Sequence, residues 1–124
     1  LNVFPELSSV NVLFREQGAS GNSNDQFFHK LGGASNILEI VITDDELWVK
    51  APKLFAGFMD KFGLLRKVKN NTVADIRLQK NLVTIKFRNS NGSMSEIVLK
   101  LKEPEQFVKI LSDKNPDLHV IKST

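Results

Sequence analysis

The stretch KAPKLFAGFMDKFGLLRKVK, residues 50–69, sets lysines and an arginine around phenylalanines, with Asp60 as its single acid. Phe55, Phe58, Met59 and Phe62 fall at i, i+3, i+4 and i+7 between Pro52 and Gly63, which is helical spacing with sensible ends. Such a pattern does non-covalent chemistry. Aromatic side chains enter a membrane interface or a partner's groove, while Lys53, Lys61, Arg66 and Lys67 meet anionic groups. The same stripe also fits extra core laid over the body of the domain, with the lysines solvated. The candidate anionic or partner surface is thus Lys53, Phe58, Lys61, Phe62, Arg66 and Lys67, and the sequence leaves surface and core lid both open.

The other residues that could do chemistry do not converge in sequence. His29 and His119 are the two histidines and neither lies near a paired carboxylate in the chain. A metal needs several ligands at short range, so no metal site is expected. The acids of DDE at 44–46 fit a hairpin turn better than a cation site, because successive strand residues point apart and Asp favours turns. KLGGAS has the glycines of a phosphate nest but lacks the Lys-Ser/Thr of a phosphate-binding loop, and reads as a linker. Asn70-Asn71-Thr72 and Asn91-Gly92-Ser93 fit the glycosylation triplet, a pattern frequent by chance. Trp48 points opposite to Leu47 along its strand; it is either buried on the second face of the sheet or an exposed binding aromatic, and burial is favoured. No catalytic residue and no cofactor-binding residue is identified, so the expectation is a protein that is not an enzyme.

The totals set the scale on which these residues are placed. At 124 residues the chain fits one domain, large enough to bury a core. With 41% hydrophobic and 25% charged residues it has the composition of an ordinary globular protein. It lacks cysteine, which excludes disulfides, thiolate metal sites and cysteine nucleophiles. The net charge of +3 is what a plain lysine-rich surface gives, whereas nucleic-acid binders carry a denser, one-sided patch. No apolar run approaches the length of a membrane span.

The elements that must position these residues follow from periodicity. SVNVLFREQ alternates with a period of two and predicts a strand, running into a Gly/Ser/Asn loop at 18–25. Phe27, Phe28 and Leu31 suit a short helical turn stopped by Gly32 and Gly33. ILEIVIT and ELWVK form a hairpin about Asp44 and Asp45. VADIRLQ and LVTIKFR are separated by Lys80 and Asn81, a two-residue turn that sets Gln79 opposite Leu82, Arg77 opposite Thr84 and Asp75 opposite Lys86. Ala74, Ile76 and Leu78 then share an inner face with Val83, Ile85 and Phe87. EIVLKL continues the meander, and matching its apolar set puts Arg88 opposite Glu96. EPEQFVKILSDKNP predicts the helix: Pro104 suits the first turn, Phe107, Ile110 and Leu111 make one stripe, and Pro116 forbids continuation.

This order, a strand meander closed by one helix, resembles the bacterial pleckstrin-homology-like (PH-like) domains. The residues that carry the likeness are EIVITDDELWVK, the Asp-Ile start of VADIRL, the LVTIKF strand, and EPEQFVKIL as the closing helix, covering about residues 37–114. The resemblance implies a mainly β fold with α: a small barrel of two orthogonal antiparallel sheets capped by a C-terminal helix. The whole of 1–124 would be one domain, its core at 37–114 preceded by an N-terminal strand and the Gly/Ser/Asn loop. Family members are non-catalytic binding or assembly modules, often joined to transmembrane segments. The implied partners are a protein or an anionic membrane surface, with a homo-oligomer as a further expectation and no nucleic acid. The implied location is cytoplasmic, at the membrane through segments outside this chain. Two features depart from the family pattern, the QGASGNSNDQFFHKLGG insertion and the phenylalanine-rich loop. The basic loop by which eukaryotic relatives bind phosphoinositides has no counterpart near the first hairpin, so that function is not carried over. The alternative is a small-ligand-binding or enzymatic α+β barrel with a pocket under the aromatic loop 53–65, which would need convergent polar groups.

Overall fold

The computed structural model describes residues 4–23, 34–51 and 66–123. Among these residues there are eight strands: β1 (Val12–Ser23), β2 (Ala34–Thr43), β3 (Glu46–Lys50), β4 (Arg66–Lys69), β5 (Val73–Gln79), β6 (Leu82–Arg88), β7 (Met94–Lys100) and β8 (His119–Ser123). An α-helix, α1 (Pro104–Lys114), stands between β7 and β8. The strands form a single sheet in the order β4-β3-β2-β1-β7-β6-β5-β8. The fold is thus mainly β with one C-terminal helix. None of the helices among the described residues is long and apolar enough to cross a membrane.

β1 joins the two halves of the sheet. Its first part pairs with β2, from Val12 against Thr43 to Gly21 against Ala34, and its last part pairs with β7, from Ser20 against Lys100 to Ser23 against Ile97. Residues 18–23 were expected to be loop; they continue the strand instead. Glycine and asparagine signal a loop because they tolerate unusual dihedrals, and here that tolerance is used inside a strand. Gly18 has φ +80°, and pairing with β2 is irregular on both sides of Ala19, so these are bulges that bend β1 from one half of the sheet into the other. The helical turn expected at Phe27, Phe28 and Leu31 lies outside the described residues.

Both hairpins read from the sequence are present. β2 and β3 turn at Asp44 and Asp45, with Ile42 against Leu47. Thr43 Oγ1 accepts from the backbone N–H groups of Glu46 (3.0 Å) and Asp45 (3.3 Å), which fixes the turn. β5 and β6 pair as expected, Gln79 with Leu82, Arg77 with Thr84 and Asp75 with Lys86. At the turn Lys80 adopts φ +57°, the left-handed conformation that two-residue hairpins require. Two details differ. A register shift between Val73 and Asp75 brings Val73, in place of Ala74, opposite Phe87, and Val73 is buried; the bulge exchanges a small apolar residue for a larger one. In the next hairpin Glu96 faces Lys86, and Arg88 faces Met94. The expected Arg88–Glu96 pair is therefore two residues out. A shift of two keeps every side chain on its face, so the apolar pattern fits both registers equally. What selects the observed one is the loop, where Asn89 N–H donates to Ser93 O (2.8 Å) and Asn89 Nδ2 reaches Ser95 Oγ (2.7 Å).

One core draws on both halves of the sheet. Phe14, Leu38, Ile40, Ile42, Leu47 and Val49 from the first half share it with Ile76, Leu78, Val83, Ile85, Phe87, Ile97 and Leu99 from the second. Helix α1 closes it with Phe107, Val108 and Leu111, and Phe107 meets Phe14 edge-on with centroids 5.5 Å apart. Ile110 is only partly buried and Val108 takes the deeper place. The inward stripe is therefore centred one residue from the expected Phe107–Ile110–Leu111 set.

Candidate functional site

The stretch 50–69 is anchored at both ends by strands. Lys50 closes β3, and Arg66 and Lys67 open β4, where Val49 faces Arg66 and Trp48 faces Lys67. Alternation along a strand sends neighbours to opposite faces, so Arg66 and Lys67 do not share a surface. Arg66 turns to the core side, its guanidinium carbon 5.0 Å from the centroid of the buried Phe87 ring. Lys67 turns outward, with Nζ 3.9 Å from Glu46 Oε2. Lys53, Phe58, Lys61 and Phe62 lie outside the described residues. Of the candidate residues that are described, Arg66 thus lies on the core side of β4 and Lys67 on its outward side.

That outward face carries an aromatic and ionic cluster absent from the expectations. Trp48 and Val41 are buried yet belong to the side opposite the main core. Phe4 packs on Trp48 with centroids 5.8 Å apart, and Lys50 Nζ lies 5.5 Å from the Phe4 ring and 5.8 Å from the Trp48 ring. Both placements suit attraction between an ammonium and an aromatic face. Trp48 Nε1 donates to Glu46 Oε1 at 3.1 Å, which satisfies the indole in its buried setting. Lys50 also reaches Glu39 Oε1 at 3.5 Å, and Arg15 Nε pairs with the other oxygen of Glu39. Burial of Trp48 thus matches expectation. The signal for the rest was the sequence ELWVK itself, since Glu46, Trp48 and Lys50 at alternate positions must share a face.

A polar girdle ties the helix to the sheet at two places. Glu16 alternates with Phe14 and so points inward; it is 7% exposed. Its carboxylate accepts from Lys102 N–H (2.8 and 3.0 Å to the two oxygens) and from Glu103 N–H (3.0 Å), the amides just ahead of α1. A buried acid is thereby satisfied, and the chain is aimed into the helix with negative charge at its positive end. At the far end Asn115 Nδ2 donates to Val73 O (2.8 Å) and Asn70 O (3.2 Å), and Asn70 Nδ2 donates to Thr43 O (3.1 Å). Close by, Asp44 accepts from Asn11 Nδ2 at 2.9 Å and from Lys114 Nζ at 3.3 Å. These hydrogen bonds, Asn11 first, hold the Asp44 carboxyl below its ordinary range.

The remaining candidates are placed separately. His119 stands across the parallel β5–β8 pair from Asp75, with Nδ1 3.1 Å from Oδ1. It therefore does meet a carboxylate, through a strand pairing that sequence distance hid. His29 lies outside the described residues. Among the described residues no group of three or more His, Cys, Asp or Glu could hold a metal. Of the two glycosylation triplets, Asn70 is buried in the girdle, whereas Asn91 is exposed in the β6–β7 turn with Oδ1 accepting from Ser93 N–H (3.0 Å). The acids and bases brought together here form structural ties: each described cluster joins strand to strand or helix to sheet. No known family model matches the chain, and no curated protein matches it.

Proposed function

We propose that the chain is a non-catalytic, PH-like binding and assembly module that sits against an anionic partner surface, a membrane leaflet above all. The observation that carries this reading is the path of β1. Its bulges at Gly18 and Ala19 pass it from pairing with β2 to pairing with β7, so that β1–β4 and β5–β7 contribute to one core closed by α1. A strand shared in this way between two halves over one core supports reading the sheet as a small capped barrel of two sheets. Between β3 and β4, the stretch 52–65 carries the densest mixture of cations and aromatic residues in the sequence. Its anchor Lys67 lies on the outward face beside Trp48 and Lys50. The binding surface on this reading is Lys53, Phe58, Lys61, Phe62 and Lys67, with Arg66 assigned to the core.

Vesicle sedimentation tests it. The domain should sediment with vesicles rich in anionic lipid, less so as salt is raised, and not with neutral vesicles, because the lysines act over a Debye length of about 10 Å at 0.1 M salt. Indifference to both kinds of vesicle at low salt would overturn the membrane reading.

A further inference from the structure

The two edges of the sheet are built differently. Edge strands present unpaired backbone groups, and proteins guard them with charge, above all lysine. β4 is guarded in this way: of its four residues Arg66, Lys67, Val68 and Lys69, three are cationic. β8 is not. Its five residues, His119, Val120, Ile121, Lys122 and Ser123, include one lysine and no proline. Of β8 only Val120 packs against the core, and Ile121 is 38% exposed, one of three large apolar side chains left open among the described residues. β8 joins β5 in parallel, and among the described residues nothing pairs with its other side.

We infer that the free edge of β8 is a self-association surface, on which β8 of a second copy pairs antiparallel about a twofold axis at Ile121. A twofold contact must be self-complementary, and this strand is. Centring the axis on Ile121 sets it against Ile121 of the second copy, covering the exposed side chain on both. Val120 then faces Lys122 of the second copy and His119 faces Ser123, so no like charges stand directly opposite. Ile121 lies on the outer face with its β5 neighbour Arg77, away from the core, so pairing demands no rearrangement of the fold. Five residue pairs bury much less than a standard interface, so the dimer is weak, with a dissociation constant on the order of 0.1 mM.

Analytical ultracentrifugation over a concentration series tests the inference. The wild-type chain should pass reversibly from monomer to dimer. Ile121→Lys and Ile121→Glu should each remain monomeric, because like charges then meet on the axis, and an equimolar mixture of the two should dimerise again. Thermal melts of both variants should match wild type, since Ile121 points outward. A wild-type chain monomeric up to about 1 mM, an Ile121→Lys variant that dimerises like wild type, or a mixture that stays monomeric would overturn it.

Discussion

The guanidinium of Arg66 lies 5.0 Å from the ring centroid of Phe87, although β4 and β6 are well separated in the order of strands. The inner side of one sheet edge thus comes over the middle of the other half. The contact gives Arg66 a packing role that its neighbour Lys67 lacks. Arg66→Ala should lower stability by about 1–2 kcal/mol through loss of the stacked guanidinium and its stem. Lys67→Ala, which loses an exposed ion pair, should stay within about 0.5 kcal/mol. Denaturant melts of the two variants check this, and equal effects would contradict the assignment of the two side chains to opposite faces.

Glu16 gives a second test, in the approach to the helix. Glu16→Ala leaves the Lys102 and Glu103 amides without their acceptor and should cost about 1–3 kcal/mol. Glu16→Gln keeps one carbonyl acceptor and should cost less. A melt unchanged by Glu16→Ala would mean that solvent replaces the carboxylate freely.

The core itself is tested by contrast within one helix. Phe107→Ala should cost about 3–5 kcal/mol, and Ile85→Ala in β6, buried in the same core, about 2–5 kcal/mol. Lys109→Ala, on the exposed side of α1, should stay within about 0.5 kcal/mol. Comparable losses at Phe107 and Lys109 would show that α1 is not docked through its apolar stripe.

Asp44 supplies a pH dependence with a definite sign. Its folded pKa is lowered by the Asn11 and Lys114 hydrogen bonds, so the folded state favours the carboxylate. The stabilisation is complete above the unfolded pKa of about 3.9 and is lost as pH falls through the lower folded value. Thermal melts should therefore show wild type above Asp44→Asn by a constant margin near neutral pH, with the margin shrinking below about pH 4. A margin that grows on acidification would contradict the arrangement.

Much of this frame is legible in the sequence because it follows from period and turn length. The two-residue turns at Asp44-Asp45 and Lys80-Asn81 leave little freedom of register, and Pro104 and Pro116 bracket the helix. Other features escape for identifiable reasons. Period-two alternation cannot separate the Lys86–Glu96 register from one shifted by two residues. Gly18 imitates a loop while making a bulge. β4 and β8 are short, and they exist because neighbouring strands offer hydrogen bonds, which local composition does not record. Phe4 meets Trp48 through tertiary packing alone. Glu16 was open to inference, since an acid that alternates with Phe14 in an inward row must find donors. Of the proposed binding surface, the composition was visible and the division between Arg66 and Lys67 required the strand.

The central claim is that the aromatic and basic residues of the 53–67 stretch act together at an anionic surface. The most direct measurement is sedimentation with anionic vesicles for three proteins: wild type, Phe58→Ser, and the double variant Lys53→Glu with Lys61→Glu. Melts are recorded alongside. The account predicts binding by wild type alone, with all three melting within about 1 kcal/mol of one another. A Phe58→Ser variant that unfolds, together with charge reversals that change nothing, would make the stretch a lid on the core and contradict the account.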